Sequence, residues 1–185
     1  MKKITILFFF LIINKGVSFG NEIQILAIVN NEPITNYDLY LEAKLKEIST
    51  GKKILIDERF ILIENIINQK IKSNEIKKNN INIKISNEEK KVILNKFENK
   101  MIPDEIKNYI LRKIEIEKRW EYLIYLKYGK KLEINTSELN ESNKDKKINS
   151  KDKEILINKL KNKKLYSLSK SFFNEIKKYY YIKKF

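Results

Sequence analysis

Apolar positions along this chain recur mostly at helical spacing, with two short exceptions at its ends. Ile23 to Val29 alternates with period two, Asn30-Asn31 follows as a turn, and a capping box then opens a helix. In that box Thr35 caps the first amides, Asp38 reaches back, and Ile34 staples onto Leu39. The helix should run to Ser49, where Gly51 supplies a left-handed terminus. A second helix is expected over Asp57 to Asn79, with Phe60, Ile63, Ile67 and Ile71 in one stripe and Ile61, Leu62 and Ile66 widening it. So broad an apolar face predicts the central rod of a core. Ser86 and Glu89 repeat the capping box for a helix to Asn99, approached by an extended Ile83 to Ile85.

Pro103 suits the first turn of a fourth helix carrying Ile106, Ile110 and Ile114, then Ile116, Trp120 and Ile124, and ending at Gly129. The stripe slips between Ile114 and Ile116, which predicts either a bend or a change of packing partner. Lys131 to Ile134 reads as a short extended piece. Residues 137–153 are dense in Asn, Ser, Lys and Asp; so few apolar groups cannot offset the entropy of ordering, and a polar linker is expected. Beyond it, Ile155, Leu160, Leu165, Leu168, Phe172, Phe173 and Ile176 restore a helical stripe, and Tyr179 to Phe185 reads as a final strand. A strand at each terminus, each otherwise an unpaired edge, suggests that the two pair. The fold class expected is mainly α, with a small sheet built from both ends of one domain.

Composition narrows the chemistry. The 185 residues include 39 Lys and Arg against 24 Asp and Glu, a formal charge of +15, and neither His nor Cys. Imidazole bases, thiol nucleophiles, disulfides and the usual transition-metal ligand sets are thereby excluded. The cations are Lys scattered among Asn and Ile, and only Arg59, Arg112 and Arg119 carry the planar fork that reads phosphates or guanines, so no specific nucleic-acid contact is expected. Glu88-Glu89 and the pair Glu115 and Glu117 point to different sides of their helices, and Ser167, Ser169 and Ser171 have no base beside them. No catalytic residue, metal or cofactor is expected.

The start of the chain has the layout of an export signal. Lys2 and Lys3 precede an apolar run, Ile4 to Ile13, too short to span a bilayer, and Ser18-Phe19-Gly20 offers a cleavage site after Gly20. Residues 1–20 are read as a signal peptide, residues 21–136 as a helical domain, and residues 154–185 as the helix and strand that complete it.

The phrase Val29, Asn30, Asn31, Ile34, Thr35, Asp38, then Ile83 to Glu89, then "LKNKKLYSLSKSFFNEIKKYYYIKKF" resembles, in order and spacing, the N-terminal and C-terminal segments of SurA-like periplasmic chaperones and the related parvulin-type prolyl isomerases. The resemblance implies that the last strand, Tyr179 to Lys184, adds to Ile23 to Val29. It also implies a periplasmic protein that holds unfolded outer-membrane proteins or other unfolded exported polypeptides without ATP. The parvulin domain of those relatives has no counterpart here, since only residues 137–153 occupy its place, so isomerase activity is not expected; an isomerase-related protein is one alternative. A second is a basic binder of anionic surfaces, using its Lys face on lipopolysaccharide, anionic lipid or, without sequence specificity, nucleic acid. Aromatics beyond the needs of a small core are the client-binding candidates: Tyr37, Tyr40, Tyr122, Tyr125, Phe172, Phe173 and Tyr180, with Tyr179 and Tyr181 alternating beside the last. The expected client site is a cleft between the long helices and the C-terminal helix.

Overall fold

A computed structural model describes residues 22–98, 100–135, 139 and 150–185. The signal peptide expected over residues 1–20 and most of the linker expected over residues 137–153 lie outside the described residues. Strand β1 (Ile25–Val29) turns through Asn30 and Asn31 into β2 (Glu32–Thr35), and the chain continues into α1 (Asn36–Thr50) and α2 (Arg59–Lys78). After them come α3 (Asn87–Asn95), α4 (Asp104–Tyr128), a single 3-10 turn (Gly129–Leu132), α5 (Ser150–Lys177) and β3 (Ile182–Lys184). The mainly helical class with a small sheet drawn from both termini is the one expected from the pattern.

Both capping boxes form. Thr35 Oγ1 accepts from the Asp38 amide while Asp38 accepts from the Thr35 amide at 2.9 Å, and Ser86 and Glu89 repeat the arrangement. Gly51 takes φ 71°, and its amide donates to the Glu47 carbonyl at 2.8 Å. Asn30 carries the tight hairpin at φ 52°, a left-handed conformation that asparagine tolerates better than most residues.

The sheet runs β2-β1-β3, antiparallel throughout, so the front strand is central. Val29 pairs with Ile182 and Ala27 with Lys184. Period two sends Ala27 and Val29 inward, where they meet Ile34 of β2. Asn30 secures the closure twice: its amide donates to the Tyr181 carbonyl at 2.7 Å, and its Oδ1 accepts from the Tyr181 amide at 3.0 Å. Lys184 and Lys177 both reach Glu64 on α2.

Two cores share α4. Ile106, Tyr109 and Ile110 in its first half pack with Leu41 of α1 and Ile102, covered in part by Ile93 and Phe97. Trp120, Leu123 and Ile124 in its second half pack with Ile66, Ile67 and Ile71 of α2, the sheet, and Phe172 and Ile176 of α5. The slip in the stripe is therefore a change of packing partner along one uninterrupted helix, since Ile114 belongs to the first group and Ile116 to the second.

Several boundaries differ from the pattern's expectation. Phe60 and Ile61 are exposed and take no part in the core stripe of α2, whereas Leu62 in the same first turn is buried. Lys131 to Ile134 is not extended; residues 129–132 coil as a 3-10 turn that buries Leu132. Helix α3 stops at Asn95, and α5 starts at Ser150, inside the stretch expected as a linker. The final strand is shorter than Tyr179 to Phe185, since the amides of Tyr179 and Tyr180 donate to the carbonyls of Ile176 and Lys177 and prolong the helix end as a turn.

Candidate functional site

A cleft of about 380 Å³ lies where the client site was expected, with walls from α1, α2, α4 and α5, and most of the side chains along it carry polar or charged tips beside the rings of Tyr166 and Phe173. Asn65 and Gln69 of α2 face it, as do Phe173 and Lys170 of α5. Two ion pairs bind its walls. Lys72 of α2 reaches Glu117 of α4 at 2.6 Å, and Lys113 of α4 reaches Glu42 of α1 at 2.6 Å. Glu42 is only 5% exposed and also accepts the Tyr109 hydroxyl at 2.7 Å. Burial, reinforced by that carboxylate, pushes the Tyr109 phenol well above the ordinary tyrosine range. Such a fully partnered buried charge is a structural clasp between α1 and α4. Among the described residues, no group of three or more His, Cys, Asp or Glu stands close enough to hold a metal ion.

The seven aromatic candidates separate into two kinds. Phe172 is buried and stacks on Trp120 with ring centroids 5.5 Å apart, while Phe173 meets the same indole edge-on at 6.1 Å. The indole nitrogen donates to Ser169 Oγ at 2.8 Å. Tyr180 is half-buried, and its hydroxyl donates to buried Glu75 at 3.3 Å; burial and that carboxylate push its pKa up to about 12. These three serve the closure of α5 and the tail onto the body. Tyr179 stands exposed on the turn after α5, and Tyr181 stands exposed just before β3, with its backbone held by Asn30.

The other four candidates remain accessible. Tyr37 and Tyr40 stack 6.1 Å apart on α1, and both hydroxyls donate to Glu105, at 3.1 and 3.2 Å. The hydrogen bond to Glu105 raises the Tyr37 phenol above its ordinary value. With exposed Ile23 they border an open pocket of about 590 Å³. Tyr122 and Tyr125 project from α4 beside exposed Leu126, three or four residues apart and hence on one side of the helix.

Periodicity overlooked a third accessible group. Leu55 and Ile56 in the α1–α2 connection and Phe60 and Ile61 in the first turn of α2 are all exposed, Ile56 by 80% and Phe60 by 76%. The signal for them was present as "KKILIDERFI", two lysines and two short apolar groups placed after a glycine helix stop. A fourth, an open groove of about 620 Å³ between α3 and α4, is lined by Leu94, Phe97, Met101 and Ile102.

No family model matches the chain, and no curated protein matches it.

Proposed function

We propose that this protein is an exported, ATP-independent holding chaperone that acts in the periplasm on unfolded polypeptides, with unfolded outer-membrane β-barrel proteins as the client class. The carrying observation is the pair of accessible tyrosine surfaces, Tyr37 with Tyr40 and Tyr122 with Tyr125, left over after two cores have been filled. Tyrosine offers a large apolar ring with a polar tip, and such surfaces hold many sequences weakly and release them. The formal charge left once residues 1–20 are removed, +12 (the +15 of the full sequence less Lys2, Lys3 and Lys15), keeps a loaded complex soluble. The resemblance of both chain ends to SurA-like chaperones supplies the client class and the compartment.

The proposed client surface is the outer faces of α1 and α4, because the central cleft is crossed by the Lys72–Glu117 and Lys113–Glu42 ion pairs while these tyrosines stand exposed. The test is aggregation of a urea-unfolded porin on dilution, followed by light scattering with and without the protein. Suppression near stoichiometric amounts, reduced severalfold in Tyr37→Ser/Tyr40→Ser or Tyr122→Ser/Tyr125→Ser, is expected. A folded protein that leaves scattering unchanged in micromolar excess defeats the reading. A proline-peptide isomerisation assay separates it from the isomerase alternative, which requires turnover.

A further inference from the structure

We infer that the α1–α2 tip, Lys52 to Ile61, is a docking site for an anionic phospholipid surface. This inference is independent of the chaperone reading, because it rests on a different set of side chains. The amides of Glu58 and Arg59 donate to the carbonyls of Leu55 and Ile56, both at 3.2 Å, so the connection already coils before α2 begins. That coiling places Ile56 and Phe60 four residues apart on one side, with Leu55 and Ile61 flanking them. All four of these large apolar side chains are more than half exposed, a concentration of accessible apolar surface of the kind that marks interaction sites.

Exposure this high describes a projection, not a wall. A side chain that is three-quarters exposed has neighbours on only one side and cannot enclose a peptide, but it can enter a soft bilayer interface. The charges around the tip select the partner. Lys52 and Lys53 stand exposed immediately before the apolar run, and Arg59 stands exposed within it. The nearby acids are mostly engaged. Glu58 is held by Lys46 at 2.8 Å and by the Leu55 amide at 3.0 Å, and Glu47 by Lys44 at 2.9 Å and by the Ile54 amide at 3.3 Å. Asp57 is the exposed acid of the tip. Apolar side chains framed by exposed cations match a surface with acyl chains beneath negative headgroups. Among the described residues no helix is long and apolar enough to cross a membrane, so docking here means lying on a bilayer.

The experiment is sedimentation of the full chain with vesicles of phosphatidylcholine alone and of phosphatidylcholine mixed with phosphatidylglycerol. Binding to the mixed vesicles only is expected, and each of Ile56→Ser/Phe60→Ser and Lys52→Ala/Lys53→Ala should weaken it on the order of tenfold. All four positions are exposed, so both variants should melt as the parent does. A Phe60→Trp variant should gain blue-shifted emission on the mixed vesicles, over a constant signal from buried Trp120. Absence of vesicle binding by the parent overturns the inference. So does equal binding by both variants, or loss of porin holding by them with vesicle binding intact, which would make the tip a client surface instead. Porin holding measured without lipid fails or succeeds separately, which keeps the two readings distinguishable.

Discussion

Removing the Lys113 ammonium should destabilise the protein more than any other single surface-lysine change. In the parent, both oxygens of buried Glu42 accept from Lys113 Nζ, at 2.8 and 2.6 Å, and one of them also accepts from Tyr109 at 2.7 Å. Lys113→Met keeps most of the aliphatic stem but leaves a desolvated carboxylate with one neutral donor. Breaking a buried pair from one side costs about 3–5 kcal/mol. The open cleft beside Glu42 admits water, which places the cost near the lower end, about 3 kcal/mol. For a chain of this length each kcal/mol shifts the melting temperature by about 2–4 °C, so a fall of about 6–12 °C is expected. Thermal unfolding at neutral pH, followed by far-UV circular dichroism, measures it. The decisive control is Glu42→Leu/Tyr109→Phe/Lys113→Met, in which no charge and no hydroxyl remains unpaired; it should recover most of the loss, because well-packed apolar replacements of a buried pair are often neutral. A single variant melting within about 2 °C of the parent, or a triple variant as unstable as the single one, would refute the assignment of this cluster as a clasp.

Truncation after Lys178 removes β3, both bonds to Asn30 and the Tyr180 contact with Glu75; a fall in melting temperature of about 5–15 °C is expected, with loss of hydrogen-exchange protection in β1, and an unchanged melt would show the tail to be idle. Tyr180 should titrate late. Folding raises its phenol from 10.0 to about 12, so the associated stability is complete below pH 10 and is lost as pH climbs through that window; ultraviolet titration of Tyr180→Phe against the parent should show one late-ionising phenol missing. The two described glycines should respond oppositely to alanine. At Gly51 a Cβ meets nothing, but φ is 71°, so Gly51→Ala should cost about 1 kcal/mol from backbone strain. Gly129 has helical φ and ψ and equal room, so Gly129→Ala should stabilise by about 0.4–1 kcal/mol, both read by urea unfolding.

Local chemistry made most of the fold legible. Capping boxes specify helix starts through side-chain bonds three residues apart, and Gly51 specifies a stop through its backbone, so neither needed tertiary information. Pairing of the termini was readable as well, since two short strands in an otherwise helical chain have few other partners. The sites were less legible because exposure depends on where neighbouring elements end. Phe60 and Leu62 are equally apolar, yet Leu62 is buried and Phe60 stands in solvent, two residues away and so on nearly the opposite side of α2. In the same way Phe172 and Tyr125 share an aromatic signature, but only Phe172 faces the indole of Trp120. A cleft between the long helices and the C-terminal helix follows from helix order, whereas the ion pairs that cross it depend on Lys72 and Lys113 meeting acids on neighbouring helices, which sequence spacing does not show.

The division of α4 between two cores bears on how the accessible surfaces could work. Its second half is tied to α2, the sheet and α5 through Trp120, Leu123 and Ile124, all essentially inaccessible. Its first half is tied to α1 through Leu41 and the Glu42 clasp, to α3 by half-buried Ile93 and to the turn after α3 by half-buried Phe97, with no residue of α3 itself buried. Stability should therefore decrease from the sheet end toward α3, and hydrogen exchange should rank the α3 amides as the fastest helical ones. Tyr37, Tyr40 and Glu105 lie on the α1–α4 junction, in the intermediate zone, where the Glu42 clasp fixes the separation of the two helices. A client surface placed there is held rigid by a bond beneath it rather than by the client. It follows that Lys113→Met should blunt porin holding at temperatures well below its own melt, while Gly51→Ala, which strains only the far end of α1, should leave holding intact. Equal holding by both variants in the cold would disconnect the clasp from the tyrosine surface.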